Sequence, residues 1–468
     1  MGSLDGGSKI LKVAAKMDDP VPDTNDDLTA DYRRKLQELT PTFQENLIRA
    51  FRNEAVRTQR RKHLVKSVHK LDPVLLSLDN NKIELSDLKL LWLPDFRIAN
   101  LTVDLPNLCL DMDLKLGNLR IEGVYDVNNL MLQKFLPVSH NGKVVVTFSD
   151  VTTKGRVGLH IQGDSFVPAN YDLAYQWTAT EVSVNYYVSN ETQIENAITS
   201  SGGEQTLGDT IWLQLNDLLT SLLDEQLAGV VVGFSVTESL ADEDQDLRKW
   251  AQQAASKANR VFDTLLCSAK DYLVAKNYWA IETPPFDVVY RGKPASLDQG
   301  IFQTGKGYLQ DLSSLSRLQD LSLYETEQQA VVYGSLKLRD FKHGYEIFSS
   351  KFEGTEVSGS IRTSVYKNGI FIKLSCDKTD LAPVKLEAVS VRTIGDVDVD
   401  ASGLASLSWL VPKVTSWTVG NLRCKAVPVL EKHIVEAFNY AIEARQSRKS
   451  ASADEDSAMF WKGMFVAH

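Results

Sequence analysis

Apolar residues recur at every third or fourth position in four stretches of this chain, which is the spacing of one face of a helix. One residue from each stripe, in chain order, is Leu47, Leu215, Phe262 and Ile434. The first stripe lies beside Thr40-Pro41, and we expect a new helix start there because threonine caps a helix and proline suits its first turn. The spacing predicts four long helices.

Between the helical stretches, apolar residues alternate with polar ones, which is the period of a β-strand. In the clearest case Leu110, Met112 and Leu114 alternate with Asp111 and Asp113. A strand of this kind belongs to a sheet with one buried face and one face in water. The alternation predicts antiparallel sheets built from many short strands.

The order helix, sheet, helix occurs twice along the chain. Segment 114–119 is similar to 336–341, and 153–161 is similar to 366–374, each pair at the same place in this order. We interpret the chain as two copies of one module of roughly 200 residues, the size of a domain rather than of a solenoid repeat. The predicted units are a mobile N-terminal segment 1–27, module 1 over 28–235, a linker 236–245, module 2 over 246–442 and a C-terminal tail 443–468.

This order of elements, with its two pairs of matching segments, resembles the tubular lipid-binding (TULIP) superfamily over about residues 28–442. That group includes arthropod juvenile-hormone-binding and takeout proteins, mite group 7 allergens and bactericidal permeability-increasing protein. The resemblance implies an α+β fold of two tandem modules, each a long helix wrapped by a strongly curved antiparallel sheet with a second long helix. It also implies non-enzymatic binding and transport of a lipophilic molecule in an apolar tunnel. The implied ligands are an isoprenoid, such as a carotenoid or juvenile hormone, or a fatty acid.

Small residues on the third helical stretch indicate where such a tunnel would lie. Ala251, Ala254, Ala255 and Ala258 recur there, and alanine on an inward turn leaves space between a helix and a curved sheet. The candidate ligand-binding residues are Phe43, Leu47, Phe51, Trp250, Ala254, Ala258, Phe262, Leu265, Leu336 and Ile372. Alternatively, the alanines let helix and sheet pack closely, and the chain is a protein-interaction or structural module whose tubes are filled by its own side chains.

Charge narrows the classes of partner. The chain has 61 Asp plus Glu against 51 Lys plus Arg, a net charge of -10, so we expect no nucleic-acid partner. The basic group Arg57, Arg60, Arg61 and Lys62 could touch an anionic membrane transiently, or could form a solvated helix face. The sequence as given shows no signal peptide, so we expect a cytoplasmic protein, or an extracellular (haemolymph) one if a signal was removed.

Catalytic motifs are missing from the sequence. It contains no nucleophile elbow, phosphate-binding loop or zinc-binding helix motif. Asp242, Asp244 and Asp246 imitate the start of a calcium loop, but Leu247 stands where that loop needs glycine. We therefore expect no enzyme, no cofactor and no metal site. We interpret the four cysteines as free buried thiols; they are Cys109, Cys267, Cys376 and Cys424.

Overall fold

The computed structural model describes residues 26–64, 68–78, 81–92, 94–127, 141–162, 165–188, 192–198, 203–231, 234, 244–276, 280–291, 299–377 and 384–451. Within these residues the predicted α+β class is confirmed, with two antiparallel sheets and long helices. The helices are α1 Asp26–Leu64, α2 Gly203–Val231, α3 Asp244–Ala275, α4 Val411–Asn421 and α5 Val427–Ala451, with a π-helical turn Leu422–Ala426 between the last two.

Among the predicted units, segment 1–25 and most of the linker 236–245 lie outside the described residues. Helix α5 continues through residues 443–451, which the sequence analysis assigned to the tail.

The first sheet is centred on two long strands that pair along their whole length, from Cys109 opposite Gly158 to Asp126 opposite Asn141. The described strands are β1 His69–Lys70, β2 Val74–Leu78, β3 Asn81–Leu90, β4 Arg97–Asp104, β5 Cys109–Val127, β6 Asn141–Gln162, β7 Ser165–Gln176, β8 Ala179–Val188 and β9 Thr192–Ile198. Strands β3 and β4 pair with the two halves of β5, and β7 and β8 with the two halves of β6. Bulges in the β5–β6 pairing bend this sheet.

The second sheet repeats this order of pairing. Its described strands are β10 Ala280–Thr283, β11 Asp287–Arg291, β12 Gln299–Thr304, β13 Gly307–Gln310, β14 Leu315–Arg317, β15 Ser322–Glu325, β16 Gln329–Leu338, β17 Phe341–Phe352, β18 Thr355–Asp377 and β19 Lys385–Ala401. Strands β16 and β17 run end to end along β18, and β19 pairs with the other edge of β18. The pair β16–β17 thus takes the place of β5, and β18 takes the place of β6. The segments that match in sequence, 114–119 with 336–341 and 153–161 with 366–374, lie on these corresponding strands.

Helix α1 passes Thr40-Pro41 without a break, so the predicted new helix start is wrong. The Thr40 hydroxyl donates to the carbonyl oxygen of Leu36 at 2.8 Å, inside the same helix. The helix is fixed by packing, because its apolar stripe is buried against the first sheet and α2. Buried residues of this stripe are Leu36, Phe43, Leu47 and Phe51.

The apolar residues of each half are buried between its helices and its sheet. In the first half they form one cluster beneath α1 and α2. In the second half one cluster lies beneath α3 and α5, and a separate cluster lies beneath α4. None of the four cysteines, all of which lie in the described residues, forms a disulfide. Cys109 and Cys376 are buried as predicted, whereas Cys267 is exposed on α3, so the prediction of a buried thiol is wrong there.

The two halves approach closely at two glycines. A Cβ atom on Gly158 of β6 would lie 2.1 Å from Ser322 Oγ, and one on Gly334 of β16 would lie 3.1 Å from Asn170 Oδ1. The buried Asn170 amide of β7 donates to Ser322 Oγ and to the carbonyl oxygen of Asp320, both at 2.9 Å. A Cβ atom on Gly158 would therefore clash across the contact between the halves, whereas one on Gly334 would clash first with Leu321 of its own half, at 2.4 Å.

Cationic side chains of the second half complete this contact. Lys373 Nζ lies 2.7 Å from Asp172 Oδ2. The Arg392 guanidinium lies 3.6 Å from the centroid of the Phe371 ring and donates to the carbonyl oxygen of Tyr171. Three residues of the second sheet form a small buried apolar cluster at this contact: Val331, Tyr333 and Phe371. The halves therefore meet through a mixed polar and aromatic surface.

Candidate functional site

A cleft of about 350 Å3 lies between the two halves, and we call it the inter-half cleft. Leu108 and Leu159 line it from the first half, and Leu321 and Leu323 line it from the second. Leu159 belongs to the apolar core of the first half, and Leu108 packs on it. Leu321 belongs to the larger core of the second half, and Leu323 packs on it. The cleft is thus an apolar space that reaches both cores.

A tight turn presents the first-half wall of the cleft. The Asp104 carboxylate accepts hydrogen bonds from the backbone N–H and the side-chain amide of Asn107, at 3.2 and 2.8 Å. Asp and Asn stabilise turns in this way. Leu108 follows with a φ of +47°, and its carbonyl oxygen accepts from the N–H of Leu159 on β6. The turn and the neighbouring strand therefore hold both leucines at the cleft.

Helix α3 holds the second-half wall. The Asn259 side chain is buried on this helix and makes two hydrogen bonds to the loop before β15. Its Nδ2 donates to Asp320 Oδ1 at 2.8 Å, and its Oδ1 accepts from the N–H of Leu321 at 3.1 Å. Ala255, one turn earlier on α3, lines the cleft directly. A small residue at this position leaves the space open.

Polar groups form the rim of the inter-half cleft. Arg33 Nη2 of α1 lies 2.9 Å from Glu325 Oε2 of β15, and the N–H of Glu325 donates to Asn107 Oδ1 at 3.1 Å. His160 also lines the cleft, and its burial lowers its pKa, although the nearby Asp320 carboxylate offsets part of this shift. The imidazole is therefore uncharged at neutral pH.

The predicted ligand-binding residues fall into separate places. Phe43, Leu47 and Phe51 lie in the core of the first half. The second-half core contains the rest of those whose side chains are described: Ala258, Phe262, Leu265, Leu336 and Ile372. Trp250 and Ala254 lie on α3, but their side chains are outside the described part of the chain. The structure therefore does not bring the predicted residues together in one site.

Sequence reasoning missed most of the cleft. Its wall comes from a turn, a hairpin and a loop, whose residues show no periodic pattern. Ala255 was noted as a small residue but not chosen as a ligand contact. The Asp104-Leu105-Pro106-Asn107 turn signal was available in the sequence, but nothing local indicates that this turn faces Leu321 more than 200 residues away.

A second concavity, of about 600 Å3, lies where the first sheet bends. Its lining is mainly charged and polar, with Arg97, Lys115, Asp150 and Gln176 beside the ring of Trp177. Leu116 and Val151 of the first core also line this concavity. The inter-half cleft reaches both cores and most of its lining residues are apolar, so it is the better candidate for an apolar ligand.

Other sequence expectations can be placed on the same elements. The basic group Arg57, Arg60, Arg61 and Lys62 lies on α1, with its side chains outside the described residues. Where side chains are described, no group of three or more His, Cys, Asp or Glu could hold a metal ion. None of the described helices contains a stretch that is both long enough and apolar enough to cross a bilayer.

No protein-family model and no curated protein matches this chain. Among solved structures, Takeout 1 of Epiphyas postvittana is similar at 18% identity and a TM-score of 0.20, over 48% of this chain and 86% of that one. Lipopolysaccharide binding protein is similar at 8% identity and a TM-score of 0.19, over 85% and 89%. P47 of Clostridium botulinum E1 is similar at 9% identity and a TM-score of 0.10, over 79% and 83%. Scores this low assign neither a fold nor a ligand.

Proposed function

We propose that this chain is a non-enzymatic carrier that binds a lipophilic small molecule in the inter-half cleft. The observation that carries the proposal is the set of four leucines that line the cleft and continue into both apolar cores. The cleft volume falls in the range of about 300 to 1,000 Å3 that is usual for small-molecule sites. Transient contact of Arg57, Arg60, Arg61 and Lys62 with an anionic membrane, at loading, is part of the same proposal.

Apolar burial supplies part of the affinity that a ligand of the cleft needs. A ligand that buries about 300 Å2 of apolar surface gains about 7 kcal/mol at ~25 cal/mol per Å2. The losses of translational and rotational freedom cost about 4 kcal/mol or more, which leaves binding no tighter than about millimolar from this area alone. Further buried area or polar contacts must supply the rest of the affinity. A ligand with an apolar body and a few polar contacts therefore suits the cleft.

Extraction of the purified protein with organic solvent is the first test. We expect a lipophilic compound in the extract, detected by absorbance and mass spectrometry. A clean extract from protein that also fails to bind a fluorescent lipophilic probe would contradict the proposal. That result would favour a protein-interaction module whose tubes are filled by its own side chains.

Filling the cleft is the second test. Ala255→Trp places a large ring in the cleft, and we expect at least tenfold weaker binding of the probe with the fold retained, as judged by circular dichroism. The matched control is Ala275→Trp, at an exposed alanine near the end of the same helix. Equal probe affinity in the two folded variants would remove the cleft as the binding site.

A further inference from the structure

Each charged side chain that lines the inter-half cleft contacts an opposite charge in the protein. Arg33 pairs with Glu325, whose side chain is only 14% exposed. Asp320 pairs with Arg317 at 3.2 Å, and Arg317 also contacts Asp263 at 2.7 Å. Because Arg33 is paired and Arg317 is shared by two carboxylates, the described lining offers no unpaired positive charge to an anionic ligand.

The remaining polar groups of the lining carry no charge. They are the side chains of Asn107, His160, Gln162, Gln319 and Ser322. An ionised head group in this space would lose water without gaining a counter-charge, which is unfavourable. The free energy of desolvation is much smaller for an uncharged oxygen that enters the cleft.

One donor at the cleft has no acceptor among the described residues. The Nε atom of Arg33 is buried and makes no hydrogen bond there. The Arg33–Glu325 contact uses Nη2, so the Nε–H takes no part in it, and the Arg33 side chain as a whole is 43% exposed. A buried donor without a partner costs free energy, and a ligand oxygen would remove this cost.

We infer that the inter-half cleft selects an uncharged lipophile with an accepting oxygen, such as a long-chain alcohol, ester or ketone, over an ionised fatty acid. Arg33 donates to that oxygen, and Glu325 sets the charge preference by neutralising Arg33. The inference rests on the proposed function and specifies the chemical class of its ligand.

Two probes that differ only in charge test this inference. Dansylamino-undecanoic acid and its methyl ester share the fluorophore and the chain, and near neutral pH only the acid is ionised. We expect the folded protein to bind the ester at least tenfold more tightly than the acid. Equal affinities, or tighter binding of the acid, overturn the inference and leave the proposed function intact. Binding of neither probe overturns both.

A charge substitution tests the assigned roles. Glu325→Gln leaves the Arg33 charge unpaired, so we expect the affinity ratio of ester to acid to fall at least fivefold or to reverse. The control Glu327→Gln removes an exposed carboxylate two residues away and should leave the ratio unchanged. An unchanged ratio in folded Glu325→Gln overturns the role of Glu325.

Removal of the donor gives the last readout. Arg33→Met should weaken ester binding about tenfold, the effect of losing one hydrogen bond from a charged donor. The control is Arg52→Met, at an exposed arginine of the same helix. If both folded variants bind the ester as tightly as the parent protein, Arg33 is not the donor.

Discussion

In the first half of the chain one apolar core extends beneath α1 and α2, whereas in the second half the apolar residues buried beneath the helices form two clusters. Polar residues separate the two clusters, and we call them the polar layer: His343, Thr363 and Asn421. Tyr345, a member of the smaller cluster, lies beside this layer. On each element the layer lies between members of the two clusters. For example, Thr363 lies on β18 between Ile361 of one cluster and Val365 of the other.

The polar layer is connected but incompletely hydrogen-bonded. Asn421 Nδ2 donates to Tyr345 Oη, and the Tyr345 ring meets the His343 ring edge to face at 5.1 Å. Both ring nitrogens of His343 and the hydroxyl of Thr363, its partner across the strands, have no hydrogen-bond partner among the described residues. Two halves with the same order of strand pairing can therefore have different interiors.

The break between α4 and α5 belongs to this difference. Asn421 ends α4, and the π-helical turn Leu422–Ala426 follows it directly. Such turns accompany local irregularity in helices. The corresponding helix of the first half, α2, is continuous over Gly203–Val231. The interrupted helix thus accompanies the divided core.

The largest expected effect comes from the smaller cluster of the second half. Trp417→Ala removes a ring that is 1% exposed and packs on Tyr290 and Phe302, with centroids 5.5 Å away in both cases. It also removes the hydrogen bond from Trp417 Nε1 to Glu84 of the first half, at 3.1 Å. We expect a loss of about 3 to 5 kcal/mol in the free energy of unfolding, measured by urea denaturation.

The matched variant in the first half is Trp212→Ala. Trp212 packs on Trp177 and Phe148 but is only partly buried, so about 1 to 2 kcal/mol should be lost. If the two variants lose equal stability, the smaller cluster is not a separate structural unit of the second half.

A pH effect should come from the polar layer. Burial lowers the pKa of His343 to about 4, so the proton binds more tightly to the unfolded chain than to the folded one. This contribution to stability is complete above the unfolded pKa of about 6.5 and is lost as the pH falls towards 4. Between about pH 7.5 and about pH 4.5 we expect a loss of about 2.5 kcal/mol.

The measurement is urea denaturation at the two pH values for the parent protein and for His343→Gln, which does not titrate in this range. The variant should show a pH dependence smaller by about that amount. If both proteins lose the same stability on acidification, His343 does not titrate as the buried position requires.

The smallest effect, but the sharpest comparison, comes from two buried threonines. In the second half Thr363→Val removes a hydroxyl without a partner, and we expect stability to stay equal or rise by up to about 1 kcal/mol. In the first half Thr153→Val removes a hydroxyl that donates to the carbonyl oxygen of Ala174 at 3.2 Å, and we expect a loss of about 1 kcal/mol.

Urea denaturation of the two variants under one condition gives the comparison. A loss in Thr363→Val as large as in Thr153→Val would show that the Thr363 hydroxyl has a partner in solution, such as a buried water. The polar layer would then be satisfied, and the interiors would differ less than the side-chain contacts indicate.

Periodicity predicted the fold class because it records which face of an element is buried. Leu110, Met112 and Leu114 of β5 are buried, and the α1 stripe around Leu47 faces the first core. Local signals were weaker. The Thr40-Pro41 pair has the composition of a helix start, but α1 continues past it because its apolar stripe packs in the first core.

The site was less predictable because its contacts join distant parts of the chain. Arg33 and Glu325 are 292 residues apart, and nothing near either residue indicates the other. The polar layer was hidden for a related reason. Thr363 and His343 occupy inward positions of strands where the alternating pattern predicts apolar residues, and only the paired register brings them together.

The order in which the chain is synthesised determines which side of the contact between the halves is present first. The first half leaves the ribosome before the second, and we expect it to fold as a unit, since domains generally fold this way during synthesis. Until the second half is made, strand β7 of the first half exposes Asn170 and Asp172 to water, which polar side chains tolerate. The apolar cluster around Phe371 belongs to the half that is made later, and the surface of β7 can cover this cluster as it forms. At this contact the polar side chains of β7 are therefore made before the apolar cluster that lies against them.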